Sequence, residues 1–263
     1  MSLSPVATEI LFALDEGEHV VGVTKFCDYP KEALTKPVLC DFAEINYETI
    51  LQAKVDLVVL QDMHQQATED LDALGIKYVV VRQNCIKDIL DGILTLGCIC
   101  NKEKRAKAIV DKIQREIVTI KKKVHKGKTK SVLLCVSRDV NEETIYNFYA
   151  AGSNVFYNEL LEIVGGKNAL CEAPVQYPLM TIDALMALKP DVVFDLLGEV
   201  KTEKKFNNQA MFNLEHIKKI WGKSMINNNI NIRIVPFLGT KFLRPGPRIV
   251  EILRAMNQAL GSN

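Results

Sequence analysis

The chain has 263 residues, of which 48% are hydrophobic and 25% are charged, a composition typical of globular proteins. Its 33 basic and 32 acidic residues nearly cancel, which excludes the cationic surplus that nucleic-acid-binding proteins need. No apolar run reaches the roughly 18 residues that a membrane-spanning helix requires. The length suits two compact domains.

Helical and strand patterns alternate over the first hundred residues. This alternation predicts a mostly parallel sheet with helices on its faces. The segment Ser2–Pro5 is typical of a strand end that enters a turn, so we expect a leader or earlier residues to be missing before it. The predicted helices are Thr8–Leu14, Tyr47–Ala53 and Ala67–Leu74, and the predicted strands are His19–Val23, Val55–Leu60 and Tyr78–Val81.

One long amphipathic helix is predicted from about Lys102 to Lys126, with Gly127 ending it. Its apolar residues recur every three or four positions and form one stripe. We expect this helix to connect two α/β lobes, one over residues 1–101 and one over residues 128–263, with residues 102–127 between them. The stripe consists of Ala106, Ile109, Val110, Ile113, Ile117, Ile120 and Val124.

The second half of the chain repeats the alternating pattern. Its predicted strands are Ser131–Val136, Asp191–Leu196 and Ile232–Pro236, and its predicted helices are Val155–Val164, Ile182–Leu188 and Arg248–Leu260.

An internal repeat relates the two halves at an offset of 135 residues, which pairs Glu48 with Asp183. Asn46 and Thr181 can cap the two helices, which places both carboxylates in a first helical turn. There the helix dipole favours a negative charge, and this is a sufficient structural reason for either residue. The alternative is that two similar lobes present matching carboxylates to a partner.

The seven cysteines give no CxxC pair. We expect reduced thiols, several of them buried, rather than a disulfide framework. Cys98 and Cys100 form one close pair, which is weak support for a metal site.

Several segments together resemble one known family. The opening Ser2–Leu14 is followed by Val20–Thr24 and Cys27–Pro30, and similar matches occur at Leu160–Asn168, Lys189–Asp191 and Arg244–Arg248. This order resembles the class III periplasmic binding proteins, which serve ABC importers of vitamin B12, haem and iron-siderophores.

The resemblance implies two α/β lobes bridged by one long helix, with a ligand cleft between the lobes. It implies a monomeric, extracytoplasmic binding protein that is not an enzyme and has no intrinsic cofactor. Its partners would be a small-molecule ligand and the permease of the importer, with no nucleic acid. A membrane would be reached only through the permease or through a lipid anchor missing with the leader.

The resemblance also implies roles for individual residues. Glu48 and Asp183 would dock onto arginines of the permease. The pattern is most similar to the vitamin B12 binders, so the expected ligand is a corrinoid held by aromatic faces. The residues expected to line the ligand cleft are Phe26, Phe42, Tyr149, Tyr177, Phe242 and Arg244.

Some features leave other ligands open. Trp221 is the only tryptophan, and Gln61 occupies a position where an aromatic residue is expected. Haem, cobinamide or a ferric siderophore therefore stay as alternatives. His64 is a weak candidate for an axial metal ligand, although a loop histidine is more often solvated. Arg244 is expected either to meet a propionate or phosphate charge of the ligand or to pair with a surface acid.

Two other classes of protein are alternatives to this interpretation. The sequence lacks a G-x-G-x-x-G, a phosphate-binding P-loop and a G-x-S-x-G motif, which disfavours a nucleotide-dependent enzyme or a serine hydrolase. A cytoplasmic carrier of the same ligand is favoured somewhat by the expected free thiols and the absent leader. No histidine-rich cluster supports a zinc or manganese binder.

Overall fold

The computed structural model describes residues 1–40, 45–64, 66–124, 127–139, 143–198, 214–225 and 232–261. The chain divides into two compact units. The first unit is Met1–Glu116 together with Arg244–Val250, and the second is Ile117–Leu243 together with Glu251–Asn263. Each unit combines helices with a sheet, which confirms the predicted α/β class.

In the first unit the described strand pairs are parallel. Strand β1 (Val23–Thr24) pairs with β2 (Val38–Cys40), and β3 (Val58–Gln61) pairs with β4 (Tyr78–Val81). Ser2 forms a parallel bridge with Val59, and its backbone N–H donates to the Gly22 carbonyl. The extended start of the chain therefore lies beside both pairs. The helices are α1 (Pro5–Ala13), α2 (Tyr47–Gln52), α3 (Ala67–Ala73) and α4 (Ile86–Ile99).

Two local differences from the sequence analysis occur here. The predicted strand His19–Val23 is wrong at its start, because His19 ends a 3-10 turn and β1 begins only at Val23. Helix α4 was not predicted, since its glycines lower helix propensity. Gly97 serves close packing instead, because a Cβ there would lie 2.3 Å from the Cβ of Ala106.

The long helix α5 spans Glu103–Lys123, close to its predicted limits. The four innermost members of its stripe are buried, whereas its other face carries Lys, Arg and Glu side chains. The amphipathic interpretation of this segment is therefore confirmed. The four buried residues are Ala106, Val110, Ile113 and Ile120.

The second unit contains a six-stranded mixed sheet. The strands are β5 (Lys130–Ser137), β6 (Asn147–Ala150), β7 (Gly166–Asn168), β8 (Leu179–Thr181), β9 (Val192–Leu197) and β10 (Arg233–Leu238). Strands β10, β9 and β5 are parallel, and β7 pairs in parallel with β5. Strand β6 is antiparallel to both β5 and β8, and the sequence analysis predicts neither β6 nor β8. The helices are α6 (Phe156–Ile163), α7 (Ile182–Leu188), α8 (Leu214–Met225) and α9 (Ile249–Gly261).

A buried ion pair lies in the core of the second unit. The side chains of Arg138 and Asp195 are both 0% exposed, with Arg138 Nη2 3.0 Å from Asp195 Oδ2. The indole N–H of Trp221 donates to the same oxygen at 2.8 Å. Because a buried carboxylate needs several donors to replace water, these two partners explain how Asp195 stays in the middle of β9.

Candidate functional site

The two carboxylates of the repeat occupy equivalent places in their helices. Asn46 caps α2 by accepting from the backbone N–H of Thr49 at 3.0 Å. Thr181 caps α7 in the same way, which confirms the predicted caps. Glu48 and Asp183 therefore lie in the first turns, and both are exposed. Each unit thus presents one carboxylate at a helix start.

Two aromatic rings are exposed in the loop that follows β1. Phe26 and Tyr29 are each 42% exposed. The ammonium of Lys25 lies 5.2 Å from the centre of the Phe26 ring, and the guanidinium of Arg248 lies 3.7 Å from the centre of the Tyr29 ring. Ligands of parallel α/β sheets bind beyond the carboxyl ends of the strands, where this loop lies. Tyr29 was missed as a candidate, although it belongs to the Cys27–Pro30 segment used for the resemblance.

Two arginines of the first unit are engaged by carboxylates beside this loop. Arg244 forms an ion pair with Asp28. Arg248 binds Glu9 with two hydrogen bonds, from Nε to Oε2 at 2.9 Å and from Nη2 to Oε1 at 2.5 Å. Burial raises the pKa of Glu9, and the Arg248 contact opposes that rise only in part. The expected pairing of Arg244 with an acid is therefore present, and a ligand carboxylate would have to compete with Asp28.

The second unit brings two predicted aromatic residues together. In the register of β6 and β8, Tyr149 lies opposite Leu179. Tyr177 lies between Gln176 and Pro178, whose carbonyls accept from the backbone N–H groups of Gly152 at 2.7 Å and Ala150 at 3.0 Å, so backbone pairing with the β6 segment continues past the start of β8. The rings of Tyr149 and Tyr177 are 48% and 46% exposed. Tyr149 also pairs with Ser137, the last residue of β5, so these two residues lie near the carboxyl end of that strand.

The other two predicted aromatic positions differ in their surroundings. Phe242 is buried, and its ring centre lies 4.9 Å from that of Phe237. Its carbonyl accepts from the Tyr157 hydroxyl at 2.7 Å. Phe242 therefore packs in the core of the second unit rather than on its surface. Phe42 lies outside the described residues.

His64 is buried, so the expectation of a solvated loop histidine is wrong. Its Nδ1 lies 3.4 Å from the backbone nitrogen of Gln61, whose N–H points to it. The Gln61 side-chain oxygen accepts from Ser4 Oγ at 3.1 Å and from Gln83 Nε2 at 3.4 Å. Gln61 thus links polar groups at the carboxyl ends of neighbouring strands. Within the described ranges, no group of three metal-binding side chains is present.

All seven cysteines lie in the described part of the chain, and none of them forms a disulfide there. Cys27 lies in a polar, buried setting, where its sulfur is 3.2 Å from the Thr8 hydroxyl and 3.3 Å from the Thr24 hydroxyl. Burial places the pKa of the Cys135 thiol well above its usual value, and the nearby Asp195 carboxylate adds to that rise. These surroundings indicate packing roles for both residues. Among the described helices, none is both long and apolar enough to cross a membrane.

Two curated relatives are similar over nearly the whole chain. The uncharacterized ABC transporter substrate-binding lipoprotein YvrC of Bacillus subtilis is 28% identical, over 99% of this chain and 79% of its own length. A vitamin B12-binding protein of Salmonella paratyphi A is 25% identical, over 99% of this chain and 89% of its own length.

Solved structures share the fold. A possible iron-binding periplasmic solute-binding protein from Staphylococcus epidermidis has a TM-score of 0.73 and 28% identity, covering 100% of this chain and 98% of that chain. The periplasmic haem-binding protein RhuT from Roseiflexus has a TM-score of 0.75 and 20% identity, covering 98% and 95%. At that lower identity the likeness concerns the fold alone.

The family assignment follows from the sequence match to a known family and agrees with these likenesses. Residues 1–211 match the periplasmic binding protein family, which is about four fifths of the chain. The family consists of solute-binding proteins rather than enzymes. The chain therefore belongs to the periplasmic binding protein family, and within it to the class that supplies the substrate-binding component of ABC importers.

Proposed function

We propose that this protein binds a corrinoid and delivers it to the permease of an ABC importer. The observation that carries the proposal is the pair Tyr149 and Tyr177, two exposed rings on paired backbone segments near the carboxyl end of β5. Phe26 and Tyr29 supply exposed rings at the carboxyl end of β1 in the first unit. Broad aromatic faces suit a corrin or porphyrin, because both ligands bury a large and mostly apolar ring.

The charges beside these rings favour a corrinoid over haem. Haem carries two carboxylates, whereas the side groups around a corrin ring are largely neutral amides. Arg244 is already paired with Asp28, and Arg248 with the buried Glu9. The Asp28 and Glu9 carboxylates already balance the charges of these two arginines, so a ligand carboxylate gains less from them than from an arginine without a carboxylate partner. A neutral amide does not depend on an unbalanced positive charge.

Haem is the second candidate, and one observation favours it. The Lys25 ammonium lies 5.2 Å from the centre of the Phe26 ring, where a cation beside an aromatic face suits a propionate of a stacked porphyrin. The haem-binding protein RhuT also shares the fold of this chain.

Delivery to the permease is the second part of the proposal. Glu48 and Asp183 are exposed in the first turns of capped helices, at equivalent positions of the two units. Matching carboxylates of this kind suit a partner with two arginine sites, since Arg binds carboxylate with two parallel hydrogen bonds. We place the protein outside the cytoplasm, as a monomer carried by a lipid anchor like that of the YvrC lipoprotein.

Calorimetric titration with cyanocobalamin, cobinamide, haemin and a ferric siderophore tests the ligand. Saturable one-to-one binding of a corrinoid, with weaker or no binding of haemin, is the expected result. Binding of haemin alone would move the assignment to the second candidate. Saturable binding of the siderophore alone, or of none of the four, would overturn the tetrapyrrole proposal.

A further inference from the structure

The second unit contains a cavity of about 380 Å³ at the amino ends of its parallel strands. Lys130 begins β5, Val192 begins β9 and Arg233 begins β10, and all three line the cavity. Tyr149 pairs with the opposite end of β5. At about 3.3 Å per residue, β5 separates the cavity from that tyrosine by roughly 23 Å. The cavity is therefore distinct from the exposed tyrosines proposed to bind the importer ligand.

The charge of this cavity is strongly positive. Among the described residues that line it, four are cationic and one is a carboxylate, Asp191. Asp191 Oδ2 accepts a hydrogen bond from the backbone N–H of Ser131 at 2.7 Å. The chain as a whole is nearly neutral, so the surplus is local. The four cationic residues are Lys123, Lys128, Lys130 and Arg233.

One of these cations is fixed in place by the fold. Lys130 Nζ donates to the carbonyl of Leu260, in the last turn of helix α9, at 2.9 Å. A helix C-terminus attracts a cation, so this contact holds the ammonium at the cavity wall. Lys123 lies at the end of α5, where Lys121 and Lys122 precede it. Three lysines of this stretch, Lys123, Lys128 and Lys130, thus line a concave site.

The walls are partly apolar, which narrows the class of ligand. Val164 and Leu260 line the cavity beside the cations. Ammonium groups on flexible stems bind phosphate as point charges, and an apolar wall accommodates a short carbon chain. The volume lies within the range of about 300–1,000 Å³ that small-molecule sites occupy. We propose that this cavity binds the phosphate group of a phosphate ester, either a free metabolite or the headgroup of an anionic lipid.

The test uses glycerol 3-phosphate as the free probe and vesicles of phosphatidylglycerol or phosphatidylcholine as the lipid probes. The cavity variant is Lys128→Gln/Arg233→Gln. The matched control is Lys107→Gln/Lys218→Gln, which removes the same charge from two exposed lysines outside the cavity. Thermal unfolding and corrinoid titration of all three proteins show whether the variants keep their fold and their importer ligand.

The wild type and the control are expected to bind glycerol 3-phosphate one-to-one, or to sediment with phosphatidylglycerol but not phosphatidylcholine vesicles. The cavity variant should bind at least about tenfold more weakly, because two charge-assisted contacts are lost. Binding of the free probe assigns a metabolite, and vesicle binding alone assigns a headgroup. Equal binding by the cavity variant and the control, or no binding of either probe by the wild type, overturns the proposal. Failure of corrinoid binding alone would not affect it.

Discussion

Lys54 and Lys189, which lie 135 residues apart, hold nearly the same left-handed backbone, with φ angles of 49° and 50°. Lys54 follows helix α2, and Lys189 follows helix α7. Each residue precedes an aspartate by two positions and then a buried strand, β3 or β9. The repeat in the sequence is therefore also a repeat of helix, left-handed turn and strand in the two units.

The left-handed turns predict an unusual order of substitution effects at Lys54 and Lys189. A side chain in this region costs about 1–2 kcal/mol, and a β-branched residue is the least tolerated. At either position, the free energy of unfolding of the Lys→Val variant should therefore be about 1–2 kcal/mol below that of the Lys→Gly variant. Urea unfolding measures both variants.

Lys107, in the interior of α5, provides the control for that order. In a helix glycine is the more costly residue, so Lys107→Gly should destabilise more than Lys107→Val does. The same order at all three lysines would contradict the strain argument.

The docking proposal predicts that Glu48→Gln/Asp183→Gln loses transport while keeping ligand affinity. Each substitution removes a charge at a helix start but leaves the cap made by Asn46 or Thr181 intact. Ligand-stimulated ATP hydrolysis by the importer in vesicles is the measurement. We expect a loss of about tenfold or more, since interface charge pairs can each contribute more than 1.4 kcal/mol.

A matched pair of carboxylates shows whether that loss is specific. Glu32 and Glu172 are also exposed, one in each unit, and Glu32→Gln/Glu172→Gln removes the same net charge. This control should transport like the wild type. Equal losses in both double variants would assign the effect to overall charge, and an unchanged Glu48→Gln/Asp183→Gln protein would refute the docking role.

The buried pair Arg138 and Asp195 should be costly to break from one side only. Asp195→Ala leaves the Arg138 guanidinium buried without its carboxylate, which costs about 3–5 kcal/mol of stability. Replacing both by apolar residues, as in Arg138→Met/Asp195→Leu, removes the uncompensated charge and should cost less. Trp221 is the only tryptophan and donates to Asp195, so its fluorescence follows unfolding of this core. A double variant less stable than Asp195→Ala would contradict this account.

The raised pKa of Glu9 predicts a stability that falls with pH. Burial is the main cause of the rise from the ordinary value of 4.5, so the folded protein keeps a proton that the unfolded chain has released. The contribution of Glu9 to stability is then fully present below pH 4.5 and is lost as pH rises through the folded pKa. Glu9→Gln cannot titrate, so its unfolding free energy should fall less steeply just above pH 4.5. Parallel pH curves for the two proteins, from urea unfolding, would exclude this effect.

The elements with strong local signals could be predicted from the sequence. The apolar stripe predicts α5, and the caps Asn46 and Thr181 mark the starts of α2 and α7, because each signal lies within a few residues. The short strands β6 and β8 were missed, since their pairing depends on residues about 30 positions apart. Such a register leaves little trace in either strand alone.

The candidate site likewise combines features that local sequence predicts with features that only tertiary packing determines. Exposure of Phe26, Tyr149 and Tyr177 is compatible with the loops and turn residues around them. The pairing of Arg244 with Asp28 joins residues 216 positions apart, and no local pattern indicates which acid an arginine will meet. Burial of Phe242 likewise depends on Phe237 and the Tyr157 hydroxyl, which tertiary packing brings to it.

Titration of three proteins with cyanocobalamin tests the central claim most directly. The proteins are the wild type, Tyr149→Ala/Tyr177→Ala, and the control Tyr146→Ala, which removes an exposed ring just before β6. The account predicts one-to-one binding by the wild type and the control, and affinity lower by about tenfold or more in the double variant. Equal affinity in all three proteins, or no binding by the wild type, would contradict the claim that these tyrosines hold a corrinoid.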